Sequence, residues 1–113
     1  MANTLRQRVL QGLILARGFV ARGWTQGWFA RNSSGVDCAS TNAEACCWCV
    51  SGAIGRSTNN DEEFNACFRE MELTTNSKSL VSWNDAKKRK QAHVVKALDT
   101  TIRRLKAQEA RSA

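Results

Sequence analysis

The sequence predicts an all-α fold, a compact bundle of four to five helices around a central small-residue helix at about residues 42–54. Three observations lead to this prediction. No Pro occurs among the 113 residues, which removes the commonest helix breaker. Several segments repeat apolar residues at helical spacing. Residues 43–55 carry one charge and mostly small side chains, a composition typical of an element buried on all sides. We interpret residues 1–113 as a single helical domain, since this length suits one modest core.

The first helix is predicted over residues 4–22. Thr4 and Gln7 match the capping box that begins many helices, and Gly23 is predicted to end this one. Between these positions, apolar residues recur on one helical face, and they are Leu5, Val9, Leu13, Ala16 and Val20.

A short second helix is predicted to begin at Thr25 and to carry Trp28 and Phe29, and turn-forming residues over 32–40 predict a loop after it. Tryptophans in such a segment are more often core residues than platforms for a ligand. If Trp24 and Trp28 were exposed, together with Phe29, they would instead form an apolar patch of the kind that marks a partner surface. The sequence leaves these two alternatives open.

The central helix is predicted to begin at a second capping box, Thr41 with Glu44, and to end at Gly55. It contains a Cys-x-x-Cys pattern formed by Cys46 and Cys49. In redox proteins this pattern lies where a strand runs into a helix N-terminus, which lowers the thiol pKa. The predicted helix begins before Cys46 and follows no strand. We therefore interpret these thiols as buried and structural.

No metal site and no cofactor are predicted. A structural zinc site needs four ligands, usually two Cys pairs or one pair with two His. No second pair exists here, and the remaining candidates are Cys38, Cys47, Cys67 and His93.

A nucleophile–base arrangement is the other chemistry that these residue types could support. Cys49 or Cys38 would act with His93, oriented by Asp85. No catalytic motif accompanies them, and His93 falls off the apolar seam of its predicted helix. His93 is therefore interpreted as a surface residue, and no catalytic residue is predicted.

A third helix is predicted over residues 60–72. Asn60 is a favourable cap, and the three acidic residues after it face the positive end of the helix dipole. Residues 73–82 carry a weaker signal, in which Leu80 and Val81 are predicted to form a short turn or an extended piece.

The last helix is predicted over residues 84–108. Asn84 or Asp85 is predicted to cap it, while Trp83 packs its start against the core. A narrow apolar seam follows at spacings of three, four and three, and consists of Val95, Leu98, Ile102 and Leu105.

The net charge of +7 is concentrated at the C-terminal end. Residues 1–86 hold eight basic and eight acidic side chains, whereas residues 87–113 hold nine basic and two acidic ones. Such a run is usually a solvated helix face, but four of the cations fall in the predicted first turn, where the helix dipole disfavours them. This placement hints at a functional reason. The candidate binding residues, for a partner or for non-specific contact with a nucleic acid backbone, are Lys87, Lys88, Arg89, Lys90, Lys96, Arg103 and Arg104.

The five Cys residues and the absence of a signal-peptide pattern predict a reducing cytoplasm with free thiols. No apolar run approaches the length of a membrane span. Residues 1–36 carry five Arg and no acid, a bias that an organelle transit peptide shares. We favour a structural role for this segment, because it supplies an apolar stripe that a small domain needs.

Four groups of residues occur in a fixed order along the chain. They are Gly23-Trp24-Thr25-Gln26-Gly27, Cys49-Val50-Ser51-Gly52-Ala53-Ile54, Trp83-Asn84-Asp85, and Val94 or Val95 with Leu98 and Ile102. In their order and spacing they resemble a family of small uncharacterised proteins of bacteria and their phages, known as a domain of unknown function. The resemblance covers roughly residues 5–105. It implies a bacterial or phage origin and no particular activity.

These observations favour a small non-enzymatic accessory protein of a phage or mobile element, which binds a protein partner and, for example, inhibits a host or defence enzyme. The alternative is a nucleic-acid-binding accessory protein that uses the basic C-terminal helix. A homodimer through the 95–105 seam is the third hypothesis.

Overall fold

The computed structural model describes residues 4–112, which form five helices and a three-stranded antiparallel sheet. The prediction of an all-α fold is wrong, because the chain is 62% helix and 9% strand and therefore mixed. The elements are α1 (Leu5–Arg22), β1 (Ala30–Asn32), β2 (Asp37–Cys38), β3 (Ala45–Trp48), α2 (Val50–Ser57), α3 (Asp61–Thr75), α4 (Leu80–Asn84) and α5 (Gln91–Ser112).

Helix α1 occupies the centre of the molecule. It begins at the predicted capping box, in which Thr4 and Gln7 exchange both hydrogen bonds. Its predicted apolar face is buried against α2, α3, α5 and β3, and Leu13 and Val20 are fully enclosed. Thus α1, rather than the segment 42–54, is the helix around which the other elements pack.

The predicted central helix 42–54 is wrong. Residues 45–48 form strand β3, Cys49 caps a helix that begins only at Val50, and Gly55 lies inside α2 instead of ending it. The segment lacks a polar face, so its composition fits a buried strand as well as a buried helix. Pairing with β1 selects the strand, and this pairing cannot be read from the segment itself.

The sheet has the order β2-β1-β3, with β1 in the middle. Ala30 of β1 lies opposite Cys38 on one side and Trp48 on the other. The predicted short helix at Thr25 is wrong, and the predicted loop 32–40 contains a hairpin that turns at Gly35, with φ of 79°. The turn-forming residues do form a turn there, but strand pairing uses it to reverse the chain within a sheet.

Two glycines allow close backbone approaches, one to β3 and one to the residue before β1. A Cβ on Gly23 would lie 2.1 Å from the carbonyl oxygen of Cys46, and a Cβ on Gly52 would lie 1.9 Å from that of Phe29. Gly23 ends α1 as predicted, but in an extended conformation. These close approaches fix the strands against the helices, because no side chain fits between the backbones.

Helix α3 begins at Asn60 as predicted, where the Asn60 side chain accepts from the amide of Glu63. It runs to Thr75, three residues beyond the prediction, and ends at Asn76 in the left-handed conformation with φ of 52°. Leu80 and Val81 belong to the short helix α4, so neither the short turn nor the extended piece predicted for them is present.

The predicted start of the last helix at residue 84 is wrong, because residues 85–90 are not helical. Helix α4 ends at Asn84, a turn follows, and α5 begins at Gln91, so that neither Asn84 nor Asp85 caps α5. Within the predicted seam, Leu98, Ile102 and Leu105 are buried because α5 packs along α1, whereas Val95 is half-buried and borders an open groove. The buried part of the seam is not available to a second copy, and a homodimer stays a hypothesis.

Candidate functional site

Three segments that are distant in the sequence meet at a small pocket beside the sheet. They are the extended chain between α1 and β1, the start of α2, and the end of α4. The pocket has a volume of about 170 Å³ and is lined by Gly27, Trp28, Phe29, Cys49, Val81, Asn84 and Asp85. Three of the four groups of residues that carry the family resemblance contribute to this lining.

Asn84 joins the three segments beneath the pocket. Its side chain is fully buried, and its oxygen accepts from the indole of Trp24 at 2.8 Å and from the amide of Val50 at 3.1 Å. Its nitrogen donates to the carbonyl of Thr25 and to the Asp85 carboxylate. A buried amide with all of these bonds is well satisfied, whereas its loss would leave several polar groups unpaired.

The chain before β1 is held in place by further hydrogen bonds to the end of α4. The Gln26 side chain donates to the carbonyls of Asn84 and Ala86 at 2.9 and 3.0 Å. The amide of Gly27 donates to the Asp85 carboxylate at 3.1 Å, and Gly27 has a φ of 85° that favours glycine. This bonding fixes the backbone that presents the next two residues.

Trp28 and Phe29 are exposed aromatic side chains at the mouth of the pocket. They are 47% and 50% exposed, and their rings meet edge to face with centroids 5.9 Å apart. Val81 of α4, 44% exposed, adds an aliphatic group to the lining of the pocket. The favoured interpretation of Trp28 as a core residue is therefore wrong, and the conditional patch forms from Trp28 and Phe29 without Trp24, which is half-buried against the core. The sequence did not identify Val81 as part of it.

Cys49 forms the buried floor of the pocket. Its Sγ accepts from the amide of Gly52 at 3.3 Å and so caps α2. Strand β3 does run directly into this cap, so the argument that no strand precedes the Cys-x-x-Cys pattern is wrong. Burial, opposed by hydrogen bonds such as that from Gly52, raises the pKa of the Cys49 thiol. The thiol is therefore protonated at neutral pH and a poor nucleophile.

The residues of the nucleophile–base hypothesis serve other purposes. His93 is exposed, and its Nδ1 accepts from the amide of Lys90 at the start of α5. The Asp85 carboxylate is bonded to Gly27 and Asn84. Over residues 4–112, no hydrogen bond joins His93 to a cysteine, and no group of three or more His, Cys, Asp or Glu side chains is arranged to hold a metal ion.

The seven candidate binding residues separate into two classes. Arg89 and Arg104 are held within the protein. Arg89 donates to the carbonyl of Trp83 at 2.8 Å and lies 4.0 Å from the centroid of its ring. Arg104 forms an ion pair with Glu70 at 2.6 Å. The other five are exposed and make no ion pair in the described part of the chain, and they are Lys87, Lys88, Lys90, Lys96 and Arg103.

The cationic run does not lie in the first turn of α5. Lys87 and Lys88 occupy the turn that follows α4, two and three residues after Asp85 of the pocket. The argument that these charges oppose the helix dipole therefore does not apply to Lys87 and Lys88, whereas it still applies to Lys90, which directly precedes α5. Lys96 and Arg103 border a different feature, an open groove of about 750 Å³ between α1 and α5. The tertiary structure thus divides one charged segment between two surfaces.

Comparison with protein families matches residues 5–104 to DUF6197, a family of unknown function. The chain belongs to this family, and the resemblance to an uncharacterised family is confirmed. No curated protein and no solved structure matches the chain. Among the described helices, none is both long and apolar enough to cross a membrane.

Proposed function

We propose that this protein is a small non-enzymatic accessory protein that binds a protein partner through the aromatic pocket, formed by Trp28, Phe29 and Val81 over Cys49. The exposed aromatic pair on a hydrogen-bonded backbone is the observation that carries the proposal. We place its action in the cytoplasm of a bacterial cell or phage-infected host, for example as an inhibitor of a host or defence enzyme. The five free cysteines and the family resemblance support this setting.

The size of the pocket favours a protein partner over a small-molecule ligand. Pockets for small molecules typically enclose roughly 300–1,000 Å³, whereas this pocket encloses about 170 Å³. That volume suits a single apolar side chain inserted from a partner surface. Trp is enriched among the residues that dominate binding energy at interfaces, and a fixed backbone lowers the entropy lost on association.

The charges beside the pocket favour a partner with acidic groups around its inserted side chain. Lys87 and Lys88 are exposed, and they follow Asp85 of the pocket rim closely in the sequence. Complementary charge at the rim of an interface mainly accelerates association and makes it sensitive to salt.

The test is affinity capture from a nuclease-treated bacterial lysate with three forms of the full chain. The Trp28→Ala, Phe29→Ala double variant should lose the captured protein by at least about tenfold, since residues of this kind often contribute about 2 kcal/mol or more. The matched control is Leu73→Ala, because Leu73 is 69% exposed and lies on α3, away from the pocket. Equal capture by both variants would exclude the aromatic pocket as the binding surface.

A second candidate function is non-specific nucleic acid binding through the exposed cations. Lys87, Lys88 and Lys90 supply a solvated cationic cluster, whereas Arg89 is excluded by its stacking on Trp83. Changing the three lysines to Gln should weaken duplex binding and reduce its salt slope by about one unit for each phosphate that is no longer neutralised. Titration of a labelled duplex at two salt concentrations tests this. No binding by the parent protein at low salt would exclude this function.

A further inference from the structure

Cys46 and Cys47 present their thiols on the same side of strand β3. Their sulfur atoms are 3.8 Å apart. Consecutive side chains of a regular strand point to opposite faces of the sheet, which separates neighbouring sulfurs widely. The close approach of these two thiols therefore requires an irregularity in the strand.

A β-bulge supplies that irregularity. Arg31 of β1 lies opposite Cys47, and the next residue, Asn32, lies opposite Ala45. Cys46 is thus an extra residue in β3 with no partner in β1. An unpaired residue at a bulge bends the strand and redirects its side chain, and such bulges are often functional features.

We propose that Cys46 and Cys47 form a chelating dithiol site for one thiophilic centre, a trivalent arsenical or a soft metal ion, bound by both sulfur atoms. This site is separate from the aromatic pocket. Cys46 is exposed and Cys47 is half-buried, so reagents reach both sulfurs from solvent. The sequence predicted Cys46 to be a buried helical thiol, and the bulge overturns that premise.

The separation of the two sulfurs suits chelation. With a metal–sulfur bond of about 2.3 Å, as for zinc, sulfurs 3.8 Å apart subtend about 110° at the metal, which is close to the tetrahedral angle. Thiolate sulfur is the preferred ligand of soft metal ions. The remaining coordination positions face solvent, where water or a small thiol fills them.

The other three thiols do not share this arrangement. Cys49 and Cys67 are buried. In the sheet, Cys38 and Trp48 both lie opposite Ala30. Cys47 instead lies opposite the next residue, Arg31. Because directly opposed residues share a face, Cys38 projects from the other face of the sheet. Cys38 therefore provides a matched control.

The covalent step with an organoarsenic oxide balances without a further reagent. Each sulfur forms a bond to arsenic as its S–H bond breaks, and the arsenic–oxygen bonds break. The two protons and the oxygen leave as one water molecule, and no atom changes oxidation state. With a metal ion, the two thiol protons go to solvent instead.

The experiment treats the full reduced chain with phenylarsine oxide in one arm and with zinc chloride in the other, followed by native mass spectrometry. We expect one phenylarsenic group in place of two hydrogens, with Cys46 and Cys47 protected from later alkylation. A dithiol should remove the group, while a monothiol at the same thiol concentration should not. Cys46→Ser and Cys47→Ser should each weaken binding by about 100-fold or more, because the second bond is intramolecular. Cys38→Ser should bind like the parent.

The two arms distinguish the sources of the ligand. Binding of the arsenical alone would assign a metalloid site, and binding of zinc in addition would assign a metal site as well. Failure of both arms, or binding that survives Cys46→Ser at full strength, would overturn the proposal. Peptide mapping of the protected thiols in the parent protein needs no variant, so the result does not depend on how the variants fold.

Discussion

The helical layer, formed by α1, α3 and α5, and the sheet region, residues 23–50, depend on interactions of very different range. In the helical layer each hydrogen bond of a helix joins residues a few positions apart, and the caps at Thr4 and Asn60 lie where local signals place them. In the sheet region the decisive interactions join distant residues, such as Trp24 and Asn84, which are 60 positions apart. A short apolar run therefore acquires its conformation from its neighbours in space, whereas a long amphipathic run largely specifies its own.

The largest effect is expected from one added methyl group at Gly52, where α2 approaches the backbone of the sheet region. Gly52→Ala should reduce the free energy of unfolding by about 3 kcal/mol or more, because the new Cβ would lie 1.9 Å from the Phe29 carbonyl oxygen and must displace backbone. Gly52→Leu should unfold the chain. Chemical denaturation monitored by circular dichroism measures both.

Gly18→Ala is the matched control in the helical layer. A Cβ there meets nothing within 4 Å, and Ala favours the helix by about 1 kcal/mol, so this variant should be as stable as the parent or more stable. If Gly52→Ala proved as harmless as Gly18→Ala, the close approach of α2 to Phe29 would not be required for folding.

The second prediction concerns the buried amide that joins the sheet region to α4. Asn84→Ala should cost about 2–3 kcal/mol, since it leaves the Trp24 indole and the Val50 amide without their acceptor. It should also loosen the backbone that presents Trp28. Thermal denaturation and near-ultraviolet circular dichroism of the tryptophans report these two effects.

The comparison variant for this prediction is Asn65→Ala, which makes the same chemical change at an exposed position of α3. Surface substitutions of this kind usually change stability by no more than about 0.5 kcal/mol. Equal effects at the two positions would mean that Asn84 does not connect the segments.

The third prediction separates Arg89 from the lysines beside it. Arg89→Gln should cost about 1 kcal/mol, because it removes the hydrogen bond to the Trp83 carbonyl and the stacking on the Trp83 ring. Changing Lys87, Lys88 and Lys90 to Gln together should leave the unfolding free energy nearly unchanged. Urea denaturation of both variants distinguishes a packed cation from solvated ones, and a greater loss of stability in the lysine variant would reverse this assignment.

The smallest effect is expected at Glu63, a buried carboxylate in the helical layer. Hydrogen bonding from the Asn59 backbone, with Arg8 and the Asn59 side chain, lowers the pKa of Glu63 below its ordinary value of 4.5. A lowered folded-state pKa stabilises the protein above the unfolded value, and this stabilisation is lost as pH falls through the folded value. Glu63→Gln should therefore make the loss of stability below pH 4.5 less steep.

Acid denaturation at a series of pH values checks this prediction. Glu62→Gln, which changes the exposed neighbouring side chain, controls for the change in net charge. An unchanged pH dependence in Glu63→Gln would show that this carboxylate does not contribute to acid stability.

The candidate site was predictable only in its exposed parts. The sequence favoured a core position for Trp24 and Trp28 and grouped them with Phe29 as a patch only if they were exposed, and it assigned Asn84 or Asp85 to a helix cap. An Asn before a helical pattern is a common cap, so nothing local distinguished it from a buried amide with partners about 60 residues away. Val81 gave no signal, because its role depends on which segment lies opposite α4.

The sequence by itself determined the bounds of α1, the start of α3, and the concentration of the whole net charge of +7 beyond residue 86. These features follow from composition and from interactions within one or two helical turns. Only the tertiary structure decided that residues 45–48 are a bulged strand, that the last helix begins at Gln91 rather than at residue 84, and that the cations fall on two surfaces. These outcomes depend on backbone pairing and close approach between distant segments, for which the separate stretches of sequence carry no local signal.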